Sequence, residues 1–188
     1  VTSTRLFILD ELSRAESHGH GLRLRARQEH ADVWTDIAVG GLYAALKRLS
    51  DEGHIAEARV EAAGNYPERT VYRITDTGRE YLSQLQRAEL ERITFRMDPF
   101  DLAFTRANSI PPSELKAMIV ARRDAFRGQA ASRRADIDEV RAQLNVADMY
   151  AVEHLTGRLD YEADWHDRLL ENFDTIIANF QPPEDTTG

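Results

Sequence analysis

The sequence contains no cysteine, and all but two of its 24 cationic side chains are arginine, the exceptions being Lys47 and Lys116. Without thiols there are no disulfides, no thiolate nucleophile and none of the Cys-rich metal sites. No apolar run approaches the ~20 residues of a membrane span. No basic segment followed by an apolar core opens the chain as an export signal would, so the expectation is a cytoplasmic protein with no membrane partner. A Gly-rich phosphate loop, a nucleophile elbow and a His-Glu-x-x-His pair are also missing. The six histidines are scattered, and nothing points to an enzyme or a cofactor. His18/His20 and Asp164/His166 offer nitrogen and oxygen ligands, but such pairs are common by chance and no thiolate supports them. No metal site is assigned.

What is present is the makeup of an ordinary globular chain: 188 residues, 42% apolar and 30% charged. That is enough for one good core, or for a small domain with an appendage. The net charge of −8 is unevenly spread. Residues 1–87 hold 12 Arg/Lys against 13 Asp/Glu, whereas residues 88–188 hold 12 against 19. Because fields are screened within about 8–10 Å, the near-neutral first part can still present a basic face.

The most informative segment runs from Gly40 to Gly78. Leu42, Leu46 and Leu49, with Ala45 beside them, form one apolar stripe of a helix predicted over about 39–52. Tyr43, Ala44 and Lys47 fall on the opposite face and Arg48 at the margin. Gly53 stops the helix. Strands are predicted over about 55–62 and 69–75, joined by a Gly64-Asn65-Tyr66-Pro67 turn. Thr75 or Asp76 then caps a further helix that ends before Asp98-Pro99. Two helices precede this segment, about 4–14 and 22–28, with a break at Ser17-His18-Gly19-His20-Gly21 and a loop containing Trp34 and Asp36. Helix, strand, turn, strand is the layout of a winged helix-turn-helix, a module that mostly reads DNA.

The second half reads as two long helices. One opens at Pro111-Pro112-Ser113 and carries a near-heptad seam through 115, 119, 122, 126, 129, 133, 137, 140 and 144, interrupted by Arg122, Gln129 and Arg133. The other runs from about Ala147 to Phe180, before a tail expected to be disordered from about 181. Two such helices cannot make a core alone and need the first domain, a second subunit, or both. The expected organisation is mainly α with a small β-wing: an N-terminal winged helix-turn-helix over 1–87 and a C-terminal two-long-helix dimerisation domain over 88–188.

With these residues in place, the chain resembles the PadR family of bacterial transcriptional regulators. The resemblance rests on His18-Gly19-His20-Gly21-Leu22, on Gly40-Gly41-Leu42-Tyr43 through Leu46, Arg48, Leu49, Gly53 and Ile55, and on Pro67 to Gly78 across the wing. Ala163-Asp164-Trp165 is similar to the family's last helix. The chain departs from the pattern at Gly41, which replaces a hydroxyl residue, and at His20, which replaces a tyrosine. Ala44 stands where proline is common, and the wing carries Glu57, Glu61 and Glu68.

The resemblance implies a homodimeric repressor whose two recognition helices enter successive major grooves of a roughly palindromic operator. Lys47 and Arg48 are then the leading DNA contacts, with Tyr43 on a phosphate, Arg69 at the minor groove and Arg23, beside Arg25 and Arg27, on the backbone. For Tyr43, bracing the helix packing is the equally weighted alternative. On the last helix His154, Arg158, Tyr161 and Trp165 are spaced 4, 3 and 4, one stripe that suits a small aromatic, anionic effector. Arg122 fits either a polar pocket or a register device. The competing reading has Tyr161 and Trp165 packing a dimer and Arg158 bridging subunits. Two other functions remain open: a winged-helix adaptor, favoured by the acidic balance, and a metal-responsive regulator without small-molecule sensing.

Overall fold

The structure is a computed structural model that describes residues 2–28, 31, 37, 39–62 and 68–180. The expected loop with Trp34 and Asp36, the Gly64–Pro67 turn and the tail from about 181 lie outside the described residues. The chain separates into two compact units, Val1–Ile93 and Thr94–Gly188.

In the first unit, helix α1 (Thr2–Arg14) leads through a two-residue strand β1 (Ser17–His18) directly into α2 (Gly19–Gln28). A short 3₁₀ turn, Val39–Gly41, precedes α3 (Leu42–Asp51). The hairpin β2 (Ile55–Glu61) and β3 (Arg69–Ile74) follows, then α4 (Asp76–Glu91). The sheet order is β1-β3-β2, both pairings antiparallel. The expected break at 17–21 is thus half strand and half helix. Ser17 and His18 pair with Tyr72 and Val71, and Gly19 already opens α2.

Apolar spacing explains the core. Leu42, Ala45, Leu46 and Leu49 turn one face of α3 inward against Ile8, Leu9 and Leu12 of α1, Leu22 of α2, Ile55, Ile74 and Leu82. The end of α3 is a Schellman motif: Gly53 takes φ +78°, its N–H donates to the Ser50 carbonyl, and the His54 N–H donates to that of Leu49. A Cβ at Gly53 would be strained by that φ. Of the two expected caps for α4, Thr75 is used. Its Oγ1 accepts from the Gly78 N–H at 3.0 Å and donates to the Gly53 carbonyl at 2.8 Å, tying the helix to the start of the wing. The Arg5 guanidinium grips Glu52 with two bonds of 2.6 and 2.7 Å and reaches the Tyr81 hydroxyl at 3.1 Å. It thereby joins α1, the end of α3 and α4.

In the second unit, α5 (Pro99–Thr105) was not anticipated; Asp98-Pro99 reads as a helix end but acts as a start. The Asp98 carboxylate accepts from the Phe100 N–H, and Pro99 occupies the first turn, where its missing N–H costs nothing. The long α6 (Pro112–Val140) and α7 (Val146–Glu171) pack antiparallel, and a further turn, α8 (Phe173–Ala178), follows a break at Asn172. Asn145 and Asp148 form a capping box at the start of α7. The ion pairs Arg134–Asp160, Arg127–Asp167 and Arg123–Asp167 run between the two long helices.

The expected heptad seam of α6 needs correction at its middle. Ala130 is buried while Gln129 and Arg133 are exposed, because a straight helix at 3.6 residues per turn drifts off a seven-residue repeat. The core of this unit gathers Ala107, Leu115, Ile119, Leu169 and Phe173, with Phe104, Trp165 and Ile177 against it.

Candidate nucleic-acid interface and helical-unit groove

The exposed face of α3 is built by subtraction. Once Leu42, Ala45, Leu46 and Leu49 face the core, Tyr43, Ala44, Lys47 and Arg48 must face out, and all four are exposed. Between this face, the start of α2 and the wing lies a concavity of about 570 Å³. Tyr43, Lys47 and Arg69 line it, together with His18 and His20. Of the expected DNA contacts, Tyr43, Lys47 and Arg69 are therefore brought together. Arg48 sits on the same helix outside this concavity, and Arg23 adjoins it through His20, whose Nδ1 lies 3.1 Å from an Arg23 nitrogen.

Tyr43 has both roles weighed for it in the sequence. Its ring is half exposed, yet a Cβ added at Gly19 would lie 2.6 Å from one of its ring carbons. The ring therefore rests on a glycine that nothing larger can replace without moving it. Arg25 turns the other way from any ligand. It pairs at 2.5 Å with Glu11, a buried carboxylate that Arg14 also approaches.

The electrostatics of the concavity are mixed. The Lys47 ammonium is held by Asp51 one turn on, at 2.7 Å. Glu57 and Glu68 are exposed and line the same space. Glu61 is partly neutralised by Arg59, which also pairs with Glu16. Loss of hydration holds the His20 imidazole below its usual range, with Arg23, Arg69, His18 and Arg27 adding cationic repulsion. His18 and His20, which the sequence offers only as a chance ligand pair, also line this concavity. The β1–β3 pairing places His18, and the first turn of α2 places His20, on the same concavity.

The second unit has an open groove of about 1030 Å³ lined by Tyr150, His154, Arg158 and Tyr161, with Phe95 and Arg96. Three of the expected effector residues, His154, Arg158 and Tyr161, thus share one surface. Trp165 and Arg122 do not line it. The Trp165 ring meets Phe100 edge-on at 5.9 Å and packs into the core. The Arg122 guanidinium lies 4.5 Å over the Phe100 ring and pairs with Asp98. His154, Arg158 and Tyr161 share one face, whereas Trp165 is taken into the core against Phe100 of α5.

A helix whose apolar stripe is sunk in a small helical core, followed by a two-stranded wing on a third short strand, defines a winged helix-turn-helix protein. Residues 8–84 match the family model described as the Transcriptional regulator PadR-like family. The matched residues lie within the winged helix-turn-helix unit, which is thus similar to the PadR-like transcriptional regulators.

Solved structures agree on the fold. Bacillus subtilis PadR in complex with operator DNA shares 19% identity at a TM-score of 0.67, covering 90% of this chain and 98% of that one. The same protein with p-coumaric acid gives 18% and 0.66, covering 90% and 94%. A PadR-like transcriptional regulator from Bacillus cereus gives 21% and 0.60, also covering 90% and 94%. No curated protein matches the chain by sequence. Among the described residues no helix is long and apolar enough to cross a membrane, and no cluster of three or more metal-ligating side chains occurs.

Proposed function

We propose that the chain is a bacterial, cytoplasmic repressor that binds a palindromic operator as a homodimer. The observation that carries this reading is the exposed face of α3, where Tyr43, Lys47 and Arg48 stand clear of the core beside Arg69 of the wing. In this reading Lys47 exchanges Asp51 for DNA, Arg48 reads a base edge or a phosphate, and Tyr43 donates its hydroxyl to the backbone. Arg69 approaches the minor groove, and Arg23 acts from α2 at the edge of the same surface. Replacing both Lys47 and Arg48 by alanine should weaken binding to a duplex from the promoter of its own gene by about 2 kcal/mol or more, roughly thirty-fold. An unchanged affinity in a salt-controlled shift assay would refute the assignment.

The helical unit, residues 88–188 by the sequence division, supplies the dimer. Phe95, Tyr150 and Tyr161 are exposed around one groove, and Met97, Leu102 and Val146 are exposed as well, apolar surface that a second copy of the unit would cover. Operator binding answers to a small aromatic effector through the groove of His154, Arg158 and Tyr161, where stacking gives affinity and Arg158 pairs with an anionic group. The complex of Bacillus subtilis PadR with p-coumaric acid supports an aromatic acid as the first probe. An effector acts only if it binds the DNA-incompetent arrangement more tightly than the competent one. Titration with phenolic acids should lower operator affinity saturably, and no effect from any of them would remove the sensing role.

A further inference from the structure

His18 and His20 are unusual in having their ring nitrogens assigned by chemistry. A guanidinium can only donate, so at 3.1 Å the Arg23 group donates to His20 Nδ1. That leaves the neutral ring's proton on Nε2. The Gly21 N–H donates to His18 Nδ1 at 2.9 Å, which fixes the same tautomer there when that ring is neutral. The two rings lie nearly parallel, with centroids 6.1 Å apart and planes at 25°. Both residues line the concavity of Tyr43, Lys47 and Arg69.

We propose that His20, with His18 beside it, is a further DNA-backbone contact: an Nε2–H donor to an operator phosphate, with its Nδ1 gaining a proton when that phosphate is bound and Arg23 leaving Nδ1 to donate to the phosphate instead. This rests on the operator-binding reading above. In the free protein the surroundings of His20 are cationic: Arg23 and Arg27 from α2, His18 from β1 and Arg69 from β3. Facing the same concavity are Lys47 and Asp51 from α3, Glu57 from β2 and Glu68 before β3. A phosphate placed among the cations reverses their repulsion and favours the imidazolium. The pKa of His20 is then higher in the complex than in the free protein. The complex holds more protons, and affinity rises as pH falls between the two values. One proton limits the rise to about ten-fold per pH unit.

The test is operator-duplex binding by the full chain from pH 8 to pH 6 at fixed salt, for the wild type, His20→Gln and His20→Phe. Gln retains a neutral donor and cannot titrate. Wild-type affinity should rise several-fold on acidification. The Gln variant should match wild type within about three-fold at pH 8 and stay flat relative to it below. The Phe variant should be weaker throughout. Identical pH profiles for wild type and the Gln variant would overturn the proposal. A parallel titration of the His20 ring by NMR, with and without duplex, reads the same claim without a substitution, and an unchanged midpoint would also overturn it. A chain that binds no duplex at low salt refutes the operator reading itself, a separate result.

Discussion

Lys47 and Asp51 are one turn apart on α3 and pair at 2.7 Å in an exposed setting. Such pairs contribute only about 0.3–0.5 kcal/mol, so releasing the ammonium to a phosphate costs little. Tyr43 is placed more firmly, by the absence of a side chain at Gly19. Gly19→Ala should displace the ring and cost about 1–3 kcal/mol of stability by urea unfolding, as overpacking typically does. It should also lower operator affinity, and a variant with unaltered stability and affinity would mean that the ring moves aside freely. Arg25, grouped with Arg23 and Arg27 by sequence, spends its charge on Glu11. Arg25→Ala should therefore lower the unfolding midpoint while leaving the salt dependence of DNA binding unchanged.

At the scale of elements, α3 and the wing were readable because their signals are local: an apolar stripe at helical spacing, a glycine stop and a half-buried strand. The cap of α4 was readable to within one residue. Thr75→Ala should cost about 1 kcal/mol, and Thr75→Ser should recover most of it, both measurable by denaturant unfolding. Elements defined by distant partners were not readable. β1 is two residues long and exists only through its pairing with Tyr72 and Val71. Trp165 and Arg122 carry the right chemistry for a ligand groove, yet the packing of Phe100 decides where they go. α5 hid behind a proline taken for a stop. Its N-terminal Asp98 carboxyl is held below the usual range by the Phe100 N–H, with Arg122 and His166 adding to the effect. Because the folded pKa is the lower one, the stabilisation is complete above the unfolded value, near 3.9. It is lost as pH falls through the folded value. The protection of the Phe100 amide, measured against its intrinsic exchange rate, should fall on acidification toward pH 3 in the wild type, and Asp98→Ala, which removes the accepting oxygen, should show low protection already at pH 6.

For the whole molecule, the acidic balance that argued against DNA binding resolves by location. The excess acid lies in residues 88–188, where Asp160 and Asp167 pair with arginines between α6 and α7, while the winged-helix unit stays near neutral. The fold stands on the structural likeness, and residues 8–84 match the PadR-like family model. Dimer geometry and operator symmetry are the claims that join the two units into one regulator, and hydroxyl-radical footprinting of the full chain on its own promoter tests them most directly. A dimer presenting two α3 helices should protect two symmetric backbone windows whose centres lie one helical turn, about 10–10.5 base pairs, or a multiple of it, apart. Both windows should disappear together in the Lys47→Ala/Arg48→Ala variant. A single unpaired window, or protection that persists in that variant, would contradict the account.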